Sequence, residues 1–207
     1  MAFIKRQPGE PLQQDERKRE RECADLLRQL GDPTPAARRW AVRDLAGCSD
    51  SSQALVELLR HEQDSSVREI ILTTLTQLGD ETAVAALVSY LRSEDVTLRN
   101  EAVEAMKSLP DEVSPIMGAL LGDPDPDVRI FAVNILESLR HDQVEEWLRE
   151  VILQDPHVNV CATAVDLLGE VGTSYSREAL ENLKVRFPDE PYISFATDLA
   201  LKRIRST

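Results

Sequence analysis

Aromatic residues make up only 4% of this 207-residue chain, too few for the cores of a β-sandwich and better suited to thin helical layers. Cysteine is scarce as well. Cys23, Cys48 and Cys161 are scattered and odd in number, with no C-x-x-C or Cys/His pairing to suggest zinc or a redox couple. They read as free thiols in a reducing cytoplasm. No stretch approaches the roughly 18 apolar residues of a membrane helix, and the opening "MAFIKRQPGEPLQQ" has two basic residues with no apolar run behind them. This excludes a signal peptide or a spanning segment and predicts a cytoplasmic protein. Positive charge is short too: 24 basic against 37 acidic residues leave a formal charge of −13, which repels phosphate backbones. DNA and RNA are therefore excluded as main partners. No Ser/His/Asp set, G-x-S-x-G, Walker or G-x-G-x-x-G motif occurs, so no catalytic residue is assigned.

What the chain does have is self-similarity. "DPDPDVRIFAVNIL" (123–136) recurs as "DPTPAARRWAVRDL" (32–45), "EQDSSVREIILTTL" (62–75) and "SEDVTLRNEAVEAM" (93–106), each with an arginine at the same place: Arg129, Arg38, Arg68 and Arg99. Two blurred copies follow, "QDPHVNVCATAVDLL" with Cys161 and "FPDEPYISFATDLA" with Ile193 at that place. The anchors are about 30 to 32 residues apart, a period typical of stacked repeat architectures. Each copy holds two helical patterns. The second, helix B, opens after an Asp/Pro-rich turn with apolar residues three and four apart; the first, helix A, has the same rhythm, as in "SQALVELLR". Short Gly, Ser or Pro breaks separate the copies.

The recurring D-x-x-V-R-x-x-A-x-x-x-L of the B helices resembles the short bacterial HEAT-like repeats first described in phycobilisome lyases. Ankyrin and tetratricopeptide signatures are absent. The resemblance implies an all-α, right-handed, armadillo-like solenoid of about six antiparallel helix pairs over residues 21–207, whose units are stable only when stacked. Residues 1–20 read as a flexible tail, its "DERKRERE" run forming the solvated start of the first helix.

The best candidate for chemistry is "GDPDPD", where Asp123, Asp125 and Asp127 alternate like the start of a calcium loop. A calcium loop needs glycine at its sixth position and a bidentate acid at its twelfth, where this chain has Val128 and Asn134. The expectation is a turn in which an aspartate caps helix B, with no metal and no cofactor. Arg38, Arg68, Arg99 and Arg129 read as a structural ladder paired with turn acids of their own or a neighbouring unit. "HE" at 61–62 is a lone copy of the pairs with which HEAT-like deoxyhypusine hydroxylases hold iron, which argues against such a site.

Counted from each anchor, positions +1, +2 and +5 point away from the core positions −1, +3 and +7. HEAT resemblance places this face in the inner groove. Its predicted binding residues are Arg39, Trp40, Arg43, Ile70, Glu101, Glu104, Phe131, Asn134 and Asp166. Apolar anchors at the ends of the stripe and acids in its middle suit another protein or a peptide segment with basic residues between apolar ones. The predicted function is a non-catalytic interaction scaffold or assembly factor. The family resemblance adds an alternative, a bilin-lyase-like or chaperone-like handler of a cofactor-carrying protein. Oligomeric state is left open.

Overall fold

Thirteen α-helices and no strands are found among the described residues, 22–204, of the computed structural model. They fall into six pairs at the predicted period. The A helices are α1 (Cys23–Gln29), α3 (Ser52–His61), α5 (Glu81–Tyr90), the broken α7–α8 (Pro110–Val113 and Met117–Leu121), α10 (Val144–Gln154) and α12 (Arg177–Arg186). The B helices are α2 (Pro35–Asp44), α4 (Ser65–Leu78), α6 (Val96–Lys107), α9 (Pro126–Leu136), α11 (Val158–Val171) and α13 (Pro191–Ile204). Each B helix packs on the next, forming one layer, and A helices from α3 onward form the other. The tail assigned to residues 1–20 lies outside the described residues.

The turn acids set where the B helices begin. Asp64 accepts from the amides of Ser66 and Val67, Asp95 from those of Thr97 and Leu98, and Asp125 from that of Asp127. Each satisfies N–H groups that the first turn leaves without partners. In "GDPDPD", Asp125 is therefore the cap, Asp123 accepts from the Asp125 amide and pairs with Arg92, and Asp127 lies in the first turn. At the other end of α4, Gly79 takes φ +57°, the left-handed geometry that closes a helix at lowest cost when no Cβ is present.

The apolar stripe at −1, +3 and +7 forms the seam between layers. Val67, Ile71 and Leu75; Leu98, Ala102 and Met106; Val128, Ala132 and Leu136; and Val160, Ala164 and Leu168 are all buried. Burying the valine, isoleucine, leucine and methionine side chains among them contributes about 1.5–3 kcal/mol each. Each pair alone buries only part of its apolar surface, so the full contribution comes with stacking.

Two details depart from the sequence reading. The fourth A helix is not continuous: a 3-10 turn, Ser114–Ile116, divides α7 from α8. Pro115 lacks the N–H and its ring crowds the preceding turn, so an α-helix cannot run through it undisturbed. The larger correction concerns cysteine. Cys23 and Cys48 are joined in a disulfide, their Cα atoms 5.9 Å apart, and only Cys161 is free and buried. The antiparallel first pair sets the start of α1 beside the turn that ends α2, which brings together residues 25 apart in sequence. The expectation of three free thiols fails for these two, and the reducing compartment inferred from it loses its support.

Candidate functional site

The ladder arginines reach from one unit to the next. Arg38 donates through Nε and Nη2 to both carboxylate oxygens of Glu62, at 2.7 and 2.8 Å, and through Nη1 to the carbonyl of Asp32 in its own turn, at 2.8 Å. Arg129 repeats this with Asp155, at 2.6 and 3.0 Å, and the carbonyl of Asp123, at 2.8 Å. Arg68 pairs with Asp95 at 2.8 Å. A two-pronged arginine thus fastens its own turn to the acid of the following one. The Arg38 hydrogen bonds hold the Glu62 carboxyl below the usual range, against the opposing effect of burial.

Two rungs differ. Arg92 takes Asp123, and Arg99 instead bonds the Ser93 carbonyl at 2.8 Å and lies 5.4 Å from the centre of the Phe131 ring. In the fifth unit Cys161 replaces arginine, and Arg186 of α12 reaches back to the carbonyls of Ile152 and Asp155. Asp155 stands six residues before Cys161, as Asp32 does before Arg38, so Arg186 fills the vacant rung from the opposite direction. It was invisible to repeat matching because it belongs to an A helix.

On the face predicted to line the groove, Arg39 and Arg43 are exposed, with Arg43 lying 5.7 Å from the ring of Trp40, which is 43% exposed. Ile70 and Phe131 are half-buried and packed against the core, and Asn134 is half-buried. Position +2 is thus partly covered at Ile70 and Phe131 but open at Trp40 and Phe195, and Phe131 offers less surface than its helical phase implies. Asp166 accepts a hydrogen bond from the Tyr192 hydroxyl at 2.7 Å, so the next unit already engages it.

Glu101 and Glu104 are brought together in a cleft of about 590 Å³ between α4 and α6. Glu69, Thr73 and Asn100, on equivalent helix positions, line it as well, and the buried Leu72 and Ala105 border it. Thr76, Gln77, Thr97 and Ser108 complete the wall. Those on the later turns continue the +1/+5 stripe to +8 and +9, a helical step that could have been extended from the pattern. Arg39, Trp40, Arg43, Phe131, Asn134 and Asp166 are not among its lining residues.

The cleft is electrostatically unbalanced. Arg68, the cation facing Glu101, is committed to Asp95, and Glu104 shares Lys107 with Glu137 at 3.2 Å. One carboxylate oxygen of Glu101, Oε2, is buried and makes no hydrogen bond. Desolvation pushes the Glu101 carboxyl above the usual range, with Asp95 and Glu69 adding to the effect and Arg68 opposing it. By contrast, Glu62, Asp95, Asp123 and Asp155, in the turns, each meet an arginine. Among the described residues no group of His, Cys, Asp and Glu could hold a metal ion, and no helix is long and apolar enough to cross a membrane.

Helix pairs stacked in two layers, with arginine rungs between units, define an α-solenoid. The chain belongs to the HEAT repeats family, which matches residues 23–107 and 113–197. A relative from Pseudanabaena tenuis (strain PCC 7409), the "uncharacterized phycocyanin operon protein Z", is 24% identical over 191 residues, 86% of this chain and 92% of its own length. Among solved structures, the TOG3 domain of Drosophila melanogaster Mini spindles shares the fold at a TM-score of 0.54 and 17% identity, over 87% of this chain and 93% of its own. The complex of CpcE and CpcF of phycocyanin lyase from Nostoc sp. PCC7120 aligns over 100% of this chain and 99% of that one, at 16% identity and a TM-score of 0.40.

Proposed function

We propose that this chain is a non-catalytic interaction scaffold or assembly factor that holds another polypeptide along its row of B helices. The carrying observation is the cleft between α4 and α6, which Glu69, Glu101 and Glu104 line together and where Glu101 keeps a buried oxygen without a donor. A lysine or arginine from a bound segment supplies that donor. Charge-assisted contacts of this kind set specificity and encounter rate. Nothing in the cleft resembles a nucleophile paired with a base, which supports a binding role.

The test pairs capture with a charge reversal. Proteins retained by the wild-type chain and lost by Glu101→Lys/Glu104→Lys are identified by mass spectrometry, then titrated as purified partners. The expected result is a loss of about tenfold or more in affinity with an unchanged circular dichroism spectrum, since removing a hot-spot contact costs roughly 2 kcal/mol. A partner held equally by both chains overturns the cleft reading. The likeness to a phycocyanin operon protein supports a more specific client, a cofactor-carrying protein of the phycocyanin kind. Titrating such a subunit, with and without pigment, against the same two chains separates this client from an unrelated one.

A further inference from the structure

We propose that the segment bound by this chain is held at two points: by a basic residue in the cleft between α4 and α6, and by an aromatic or large aliphatic residue, about nine positions away, on the face of α13 formed by Tyr192, Phe195 and Leu199. This second anchor rests on the cleft reading above and adds the partner's chemistry and spacing to it. The three side chains follow one another at intervals of three and four residues, which puts them on one helical face. They expose 52%, 65% and 40% of their surface. Among the described residues, no other helix carries more than one exposed large apolar side chain.

Position along the helix ties this face to the cleft. Thr97, Asn100 and Glu104, which line the cleft, are the second, fifth and ninth residues of α6, and Tyr192, Phe195 and Leu199 are the second, fifth and ninth of α13. Counted from Ile193, Phe195 stands at +2, but α13 begins one residue later against the motif than the other B helices do, so Phe195 takes the level held by +1 elsewhere. The Tyr192 hydroxyl donates to Asp166, the ninth residue of α11, so the face continues across that joint. The fifth residues of the six B helices run Arg39, Glu69, Asn100, Ile130, Ala162 and Phe195. They are charged or polar up to the cleft, partly buried against the core at Ile130 and Ala162, and openly apolar at the last.

A second copy stacked on the end does not suit this face. The eighth residues Val42, Leu72, Val103, Val133 and Val165 are buried, whereas the eighth of α13 is Asp198, exposed and paired with Lys184 at 2.7 Å. The array therefore ends in polar residues where a further unit would stack, as a terminal repeat requires. Area points the same way. Aromatic side chains bury about 150–250 Å² each, so these three, about half exposed, offer roughly 300 Å², the footprint of one anchor and well below the roughly 800 Å² per partner of a stable interface. The helices α6, α9, α11 and α13 pack in succession, and packed helices lie about 8–10 Å apart. Three such steps and the half-step into the cleft amount to about 28–35 Å, which an extended chain crosses in about eight to ten residues. Two weak contacts joined over a matching span gain about 10²–10⁴ in affinity, and a linker too short to span them gains nothing.

Fluorescein-labelled peptides, titrated against the full chain by fluorescence anisotropy, test this. Each carries Lys-Arg and Trp separated by two, nine or twelve Ser/Thr residues, in both chain directions. In one direction, the peptides with nine and twelve intervening residues are expected to bind at least tenfold tighter than the one with two. Phe195→Gln/Leu199→Gln should reduce them to the level of a control with Ser in place of Trp, and Glu101→Lys/Glu104→Lys to that of a control with Ser in place of Lys-Arg. Both α13 side chains are exposed, so circular dichroism should be unchanged; Phe195→Gln alone serves if the double substitution unfolds the helix. Affinity that depends on Glu101 and Glu104 but not on spacing or on Phe195 overturns the second anchor and leaves the cleft reading standing. Affinity that depends on Phe195 but not on the two acids overturns both, as does the absence of saturable binding by every peptide. A dimer in sedimentation that Phe195→Gln dissociates makes a second copy the occupant and overturns the proposal.

Discussion

Removing the Arg38 guanidinium strands Glu62, whose side chain is only 3% exposed, in a place it cannot leave without opening the joint between the first two units. Breaking a buried pair from one side costs about 3–5 kcal/mol. In a chain of this size Arg38→Ala is therefore expected to lower the melting temperature by about 10 °C, as read by calorimetry. The pair also imposes a pH dependence. Arg38 lowers the Glu62 carboxyl in the folded chain below its ordinary value of 4.5, so its stabilisation is complete above that value and is lost as the pH falls through the lowered one. Arg38→Ala should flatten this part of the acid limb. Glu101 works in the opposite sense: raised by desolvation, it favours folding less as the pH rises past the ordinary carboxylate value. The period made the arginines legible, since Arg38, Arg68 and Arg129 recur behind an acidic turn. It could not show that each reaches forward to the next turn, or that Arg99 turns aside to Phe131 because Arg92 holds Asp123.

The shortest complete A helix is α1, seven residues with Leu26 as its one buried side chain, and the disulfide compensates for that small footprint. Closing a loop of 25 residues removes chain entropy worth about 3.5 kcal/mol from the unfolded state. Cys23→Ser, or reduction of the bond, is expected to raise hydrogen exchange in α1 and α2 while leaving α9 to α11 protected. Uniform loss of protection along the chain would mean that the first unit unfolds together with all the others. The paired thiols were not legible because nothing local links them: the bond depends on the antiparallel return of α2, a tertiary fact. Helix phase likewise told which way position +2 points, but not that Ile70 and Phe131 are partly buried against the core.

The six pairs and their two layers were legible because each unit repeats the same apolar spacing and the same capping turn, so local and global signals agree. The acids at 101 and 104 were legible as groove positions, whereas the cleft they share with Glu69 required the spacing of two whole helices. The last joint was not legible at all. Arg186→Ala removes two charge-assisted bonds to carbonyls, each worth about 1.5–3 kcal/mol, and is expected to loosen α12 and α13 ahead of the remaining helices in hydrogen exchange. This backward rung also limits how the array can be rebuilt. A block spanning units two to four could be duplicated in place, since every new boundary would offer an acidic turn to the arginine before it. Repeating unit five would set Cys161 where that arginine is needed, and no second Arg186 would follow to replace it. The chain is thus modular in its middle, whereas its fifth and sixth units can be inherited, moved or exchanged only as a pair.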